Sequence, residues 1–232
     1  MSRSEEIRNI ICDAELGYDL IAPFYDSWHW QKFWGENELP KLVIWMRSLK
    51  VGYGADFGAG SGNSLLPFLK SGHRVDAFDI SNRMLSLCVE KHLTYVITGR
   101  LKYYCMDVRK IWIKQRRYDW IICNRMLSNN QSVSDVARVM SKVIKRGGQC
   151  FISDILPEHH YDNTHLRIGN LNINIETYKH PIAEVVNCFV KHGFKVLFKH
   201  EYRKYNVRNS SLLDKYMMYE PIYYVLILKY GE

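Results

Sequence analysis

Between Ala55 and Ser81 the chain reads ADFGAGSGNSLLPFLKSGHRVDAFDIS. A short apolar run ends in an acid, glycines follow at Gly58, Gly60 and Gly62, a helical apolar pattern comes next, and a second apolar run closes on another acid. Strand, glycine loop, helix, strand is the unit that starts a parallel sheet, because parallel neighbours need a crossover and a helix supplies it. Glycines let the backbone turn tightly and approach a ligand closely. In open sheets of this kind that ligand sits at the carboxyl ends of the strands. The stretch therefore commits the chain to an α/β architecture with a binding crevice.

The rest of the chain extends the pattern. Apolar runs rich in branched and aromatic residues at 51–58, 74–79, 101–107, 118–124 and 148–156 predict five parallel strands. Helices are expected at 63–70, with Leu65, Leu66 and Leu69 on one face, at 82–91 behind an N-cap at Ser81, and from Ser132 or Ser134 to the KRGG stretch. Another is expected at 181–194, with Pro181 in its first turn and Gly193 beyond its end. Two last strands, 195–202 and 221–230, have no helical pattern between them and so pair antiparallel. The expected fold is α/β: a Rossmann-like doubly wound sheet of seven strands, mostly parallel, with an antiparallel C-terminal hairpin at its edge. One domain spans 1–232, with a helical N-terminal region at 1–50, a cofactor-binding core at 51–156, and an acceptor-side insertion, helix and hairpin at 157–232.

Composition narrows the class. With 232 residues and 47% hydrophobic content the chain builds a sizeable core without disulfides. Its six cysteines form no CxxC pair, and a reduced, cytoplasmic setting is expected. No secretory leader and no long apolar span is apparent, so no membrane partner is expected. The net charge of +8 suits nucleic acid or an acidic small molecule. The basic residues are nevertheless spread out, with short clusters at 113–117 and 200–208, as on an ordinary solvated surface.

Two nucleotide cofactors use a crevice of this type. A dinucleotide wants GxGxxG, and Asn63 stands where the last glycine belongs. Asp56 ahead of the loop is badly placed for a pyrophosphate but suits a cofactor that carries an ammonium group and no phosphate, which is S-adenosylmethionine. Asp79 is placed to accept from ribose hydroxyls, and Asp107 from an adenine amino group with the Val108 N–H beside it.

Together with YYCMDVRKI, YDWIICNRML and VIKRGGQCFISDI, the glycine stretch resembles the class I S-adenosylmethionine-dependent methyltransferases, of the small-molecule type. The resemblance implies S-adenosylmethionine as cofactor and S-adenosylhomocysteine as product. It implies that Asp56, Gly58, Gly60, Gly62 and Asn63 form the cofactor loop, that Asp79 and Ile80 hold the ribose, and that Asp107 and Val108 meet the adenine. Asn124, Arg125 and Met126 then line the methionine side.

The acceptor is read from two further segments. Family members that methylate base amines often follow Asn or Asp with two prolines and an aromatic. Here Asn124 is followed by neither, which disfavours that reaction and base flipping. The aromatic stretch 17–40 resembles a lid, with Tyr18 and Tyr25 expected on the cofactor and Trp28 and Trp30 on the acceptor. A cation over such rings gains about 0.5 to 2 kcal/mol. In the insertion 154–180, Leu171, Ile173 and Ile175 alternate with Asn172, Asn174 and Glu176, one face packing and the other polar. Asp154, Arg167, Glu176 and Tyr178 are expected to orient the acceptor, and His159 or His160 to act as general base. The histidine spacing fits no metal motif, and no metal is expected. The expected function is in-line methyl transfer to an N or O atom of a small-molecule acceptor, a metabolite or biosynthetic intermediate. An RNA (tRNA) methyltransferase using the basic surface, and a noncatalytic S-adenosylmethionine-binding protein of the same fold, are the alternatives.

Overall fold

The computed structural model describes residues 7–111, 115–159, 163–203 and 221–231. The chain enters through β1 (Arg8–Cys12) and three helices, α1 (Ala14–Tyr25), α2 (His29–Asn37) and α3 (Leu39–Arg47). Then come β2 (Tyr53–Phe57), α4 (Leu66–Lys70), β3 (Arg74–Asp79), α5 (Asn82–Lys91), α6 (Leu93–Ile97), β4 (Leu101–Cys105) and β5 (Tyr118–Asn124). After α7 (Val133–Val143) and β6 (Ile144–Ile155) follow β7 (Thr164–Ile168), β8 (Leu171–Ile175), α8 (Ile182–Lys191), β9 (Phe194–Arg203) and β10 (Pro221–Tyr230).

Seven strands form one sheet in the order β4-β3-β2-β5-β6-β10-β9. The first five are parallel, and β10 runs antiparallel between β6 and β9, the hairpin edge that the sequence predicts. The centre of the sheet is buried on both faces, which is why its strands read as unbroken apolar runs. Along β5, Ile121 and Cys123 face α7 and α8, while Trp120 and Ile122 face the layer containing α3 and α4. Gly54 on β2 makes room for that Trp120: a Cβ there would stand 2.1 Å from the indole.

Local chemistry fixes the helix ends. The Ser81 hydroxyl accepts from the Met84 N–H at 3.1 Å and Ser132 accepts from Asp135 at 3.2 Å, so both expected N-caps are present. The helix expected at 63–70 is shorter, because 62–65 is spent turning out of the glycine loop and α4 starts only at Leu66 with Pro67 in its first turn. Strand β6 likewise starts earlier than expected, at Ile144, with an irregularity in its pairing across the KRGG stretch.

A second sheet has the order β1-β8-β7. The chain's first described strand lies parallel to β8, from Arg8 opposite Leu171 to Cys12 opposite Ile175, although the two are far apart in sequence. Ile173 and Ile175, on the apolar side of the alternation, are buried with Cys12 and Ile21 of α1. Gly17 permits this close approach, since a Cβ there would stand 2.4 Å from Ile175. This α1 and small-sheet unit roofs the crevice. By contrast α3 buries Leu42, Trp45 and Met46 against the large sheet.

Candidate active site

A cavity of about 670 Å³ opens at the carboxyl ends of β2, β3 and β5, below α1 and beside β7 and β8. Its floor is the glycine loop. The Gly58 and Ala59 N–H groups both donate to the Phe78 carbonyl at 2.9 Å, folding the loop against β3. Gly58 and Gly60, at φ of 76° and 55°, occupy the left-handed region that favours glycine, and both line the cavity. Asp79 ties the loop to β3: one oxygen accepts from the Gly60 N–H at 2.7 Å and the other from the Ser81 N–H at 2.9 Å. Burial nevertheless pushes its carboxyl up to about 6.

Asp56 at the end of β2 is 2% exposed and lines the same cavity. Its carboxylate has no hydrogen-bond partner among the described residues. Burial, and secondarily the Asp79 carboxylate, push it up to about 7. A buried carboxylate without a donor is costly unless a cation meets it, and the ammonium-bearing end of S-adenosylmethionine fits that need. The structure separates two residues that the sequence assigns to the loop. Gly62 does not line the cavity; its missing Cβ admits Cys88 and His92, and its carbonyl meets His92 Nε2 at 2.9 Å. Asn63 lines the cavity but also holds the lid, as described below.

Asp107 and Val108, after β4, reach the cavity. Burial raises the Asp107 carboxyl, but the Arg109 side chain and N–H, which donate to it at 2.8 to 3.1 Å, outweigh this and leave it below the usual carboxylate range. After β5, Asn124, Arg125 and Met126 line the opposite wall, and Ile80 lines the β3 side. Arg125 adopts a φ of 54°, rare for a residue with a side chain. Its guanidinium pairs with Glu38 and lies 4.8 Å from the Trp34 ring, while the Ser153 hydroxyl donates to the other Glu38 oxygen. Burial alone would lower Arg125, but Glu38 more than compensates and holds it above the ordinary arginine value.

The lid contributes rings. Tyr18 and Tyr25 meet edge to face at 6.2 Å, and Trp28 lies 6.4 Å from Tyr25. Asn129 donates to the Tyr18 hydroxyl at 3.3 Å. Trp30 stacks on Trp34 at 5.8 Å and meets His159 edge-on at 6.3 Å. Two carboxylates clasp α1 to the core. Asp19 accepts from the Ser81 hydroxyl at 2.5 Å and the Arg83 N–H at 3.1 Å. Asp26 accepts from Lys91 and Ser61 at 2.7 Å and from Asn63 at 3.0 Å.

On the side of β7 and β8, His159 is 2% exposed and lines the cavity, as do Arg167, Glu176 and Tyr178. His160 lies outside the described residues. Asp154 does not reach the cavity: its carboxylate accepts from the Ser128 N–H at 2.8 Å and the Ile155 N–H at 2.7 Å, fastening the loop after β5 to β6. Glu38 and Asn129 were not signalled by sequence, because each matters through a partner distant along the chain. Among the described residues no cluster of three or more His, Cys, Asp or Glu is arranged to hold a metal ion.

Comparison with known proteins agrees with this geometry. A family model described as a methyltransferase domain matches residues 55–148. No curated protein matches the chain in sequence. Among solved structures, the cyclase SpnF superposes with a TM-score of 0.72 at 14% identity, over 94% of this chain and 95% of that one. An S-adenosylmethionine-dependent methyltransferase from Clostridium acetobutylicum gives 0.68 at 14% identity, over 93% and 99%. Magnesium protoporphyrin IX methyltransferase from Synechocystis PCC 6803, with bound SAH, gives 0.62 at 14% identity, over 93% and 100%. Residues 55–148 thus match a methyltransferase domain, and the seven-stranded sheet that carries them has the fold of these S-adenosylmethionine-dependent methyltransferases.

Proposed function

We propose that the chain methylates an N or O atom of a small molecule. The observation that carries the donor end is Asp56, a buried carboxylate without a hydrogen-bond partner among the described residues, beside the glycine loop that floors the cavity. The acceptor end is supported by an aromatic and histidine-bearing cavity of about 670 Å³ below α1 and beside β7 and β8, a volume suited to a small molecule. Magnesium protoporphyrin IX methyltransferase, of the same fold, acts on a small molecule by its name.

In this reading Asp56 and Asn124 meet the amino-acid end of the donor, Asp79 the ribose, and Asp107 with Val108 the adenine. S-adenosylmethionine, when bound, supplies a methyl group on a positively charged sulfur. The residues around the cavity would hold the acceptor lone pair in line with that methyl group. His159 takes the acceptor's proton, and Trp30 fixes its ring edge-on. Tyr18, Tyr25, Trp28 and the rest of the lid exclude water and align the partners, an effect worth up to about 7 to 11 kcal/mol in well-oriented systems. Arg167, Glu176 and Tyr178 orient the acceptor.

Calorimetric titration with S-adenosylhomocysteine, followed by a screen of small-molecule acceptors and bulk tRNA with methyl-labelled donor, tests this. Saturable binding and label in a small molecule are expected. Absence of binding at millimolar concentration overturns the donor assignment, and label in tRNA alone, with steep salt dependence, overturns the acceptor class. Binding without transfer to any acceptor leaves a noncatalytic member of the fold.

A further inference from the structure

Outside the main cavity, a second depression of about 410 Å³ lies between the turn joining α1 to α2 and strand β7. The two hollows share Trp28, His29 and Arg167, so these residues form a sill between an inner chamber and an outer recess. Phe24, Leu166 and Ile168 give the recess apolar walls, and no carboxylate is among its lining residues. Glu176 lines the inner chamber only.

The sill holds donors without acceptors. The Arg167 Nε is committed to the Gly169 carbonyl at 3.2 Å, which fixes the plane of the guanidinium. Its two terminal amino groups meet no protein acceptor among the described residues. A planar fork of this kind matches carboxylate and phosphate oxygens two at a time. His29 makes no hydrogen bond among the described residues either, and its ring packs against Trp28 and Trp30 at 6.0 and 5.8 Å. Burial, and then the neighbouring His165, hold His29 below the ordinary histidine value, a condition that an arriving anion relieves.

We propose that the sill of Trp28, His29 and Arg167 is an anion subsite, which takes a carboxylate or phosphate carried by the acceptor while the atom to be methylated reaches inward. This rests on the small-molecule methyltransferase reading. It adds that the acceptor is an elongated anion whose charged group stays at the mouth and whose body lies along Trp28. The guanidinium fork supplies the directed contact and His29 a second donor.

Titration of the full chain with phenyl phosphate, benzoate and benzyl alcohol, followed by tryptophan fluorescence and calorimetry with and without S-adenosylhomocysteine, tests the subsite. One or both anions are expected to bind at least about tenfold more tightly than the neutral alcohol. The tighter of the two names the source of the charge. Arg167→Gln is expected to erase the preference and Arg167→Lys to restore part of it, with S-adenosylhomocysteine affinity unchanged in both, which also reports that they are folded. Equal binding of anion and alcohol, an undiminished preference in Arg167→Gln, or displacement of the anion by S-adenosylhomocysteine overturns the proposal. If S-adenosylhomocysteine does not bind the unsubstituted chain, the methyltransferase reading fails, while the anion preference measured without it still decides the subsite.

Discussion

Glu38 and Arg125 meet as a buried ion pair across 87 residues of chain, joining the turn between α2 and α3 to the left-handed turn that follows β5. The pair is only 3% and 19% exposed, and Ser153 fills the remaining Glu38 oxygen. It thus fixes the second half of the N-terminal helical region to the strand whose end lines the cavity.

Removing one member leaves the other buried without a countercharge, which typically costs about 3 to 5 kcal/mol. Glu38→Ala is expected to lose stability on this scale in urea unfolding. Replacing the pair together, as Glu38→Leu with Arg125→Met, is expected to recover a large part of it. A single substitution with less than about 1 kcal/mol of loss would show that water reaches the guanidinium.

Donor affinity should depend on pH through Asp56. Its carboxyl titrates near 7 in the empty cavity, and a cationic ligand prefers the ionised form. Affinity is therefore expected to fall about tenfold between pH 8 and pH 6. Proton release on binding, counted by calorimetry in buffers of different ionisation enthalpy, checks the sign.

The same carboxylate carries a stability cost in the empty protein. Raised from the ordinary 3.8 to about 7, it binds its proton more tightly folded than unfolded. Its destabilisation is thus absent below about pH 4 and complete above about pH 7. Asp56→Asn is expected to stabilise the ligand-free chain at pH 8 by up to about 4 kcal/mol, with little gain at pH 4, while abolishing donor binding. Thermal melts at the two pH values, with and without S-adenosylhomocysteine, separate these effects.

His73 acts in the opposite direction. Its Nδ1 accepts from the Trp120 indole at 3.0 Å and from the Gly52 N–H at 3.2 Å, so the folded ring is neutral at that nitrogen. Burial holds it below the ordinary histidine value. Its contribution is full above about pH 6.5 and is lost as pH falls, because the unfolded ring protonates first. His73→Phe leaves the buried Trp120 indole donor unpaired, at about 1 to 3 kcal/mol, and the half-buried Gly52 N–H at less. Its stability is expected to vary less with pH below 7 than that of the parent.

The Asp26 clasp is half exposed, 37% at Asp26 and 32% at Lys91, so its effect on stability is at most about 1 kcal/mol. Its effect on ligand exchange is larger because it shuts the lid over the glycine loop. Asp26→Ala is expected to speed S-adenosylhomocysteine release roughly tenfold in stopped-flow displacement, and added salt to speed release from the parent but not from the variant.

The large sheet was legible because strands buried on both faces leave unbroken apolar runs, and Ser81 and Ser132 announce their helices through short-range chemistry. The acids at the ends of β2, β3 and β4 were legible for the same reason: position along a strand fixes position at the crevice. What the sequence hid depends on partners remote in the chain. Arg8–Cys12 carries no strand alternation with a single apolar face and becomes a strand only beside Leu171–Ile175. Asp154 reads as a free acid until the Ser128 and Ile155 N–H groups are seen to occupy it. Gly62 belongs to a ligand-loop spacing, yet what requires its bare Cα is Cys88.

The parallel pairing of β1 with β8 also sets a timetable. Asn172 donates to Asn9 across 163 residues, so β1 waits for that much further synthesis before it finds its neighbour. At roughly 5 to 20 residues per second that interval is roughly 10 to 30 s. A nascent chain that has reached β6 already owns the glycine loop and its three acids, but lacks the ceiling that makes a chamber of them. Competence to hold a ligand therefore arrives late in synthesis, after the sheet beneath it has had time to form.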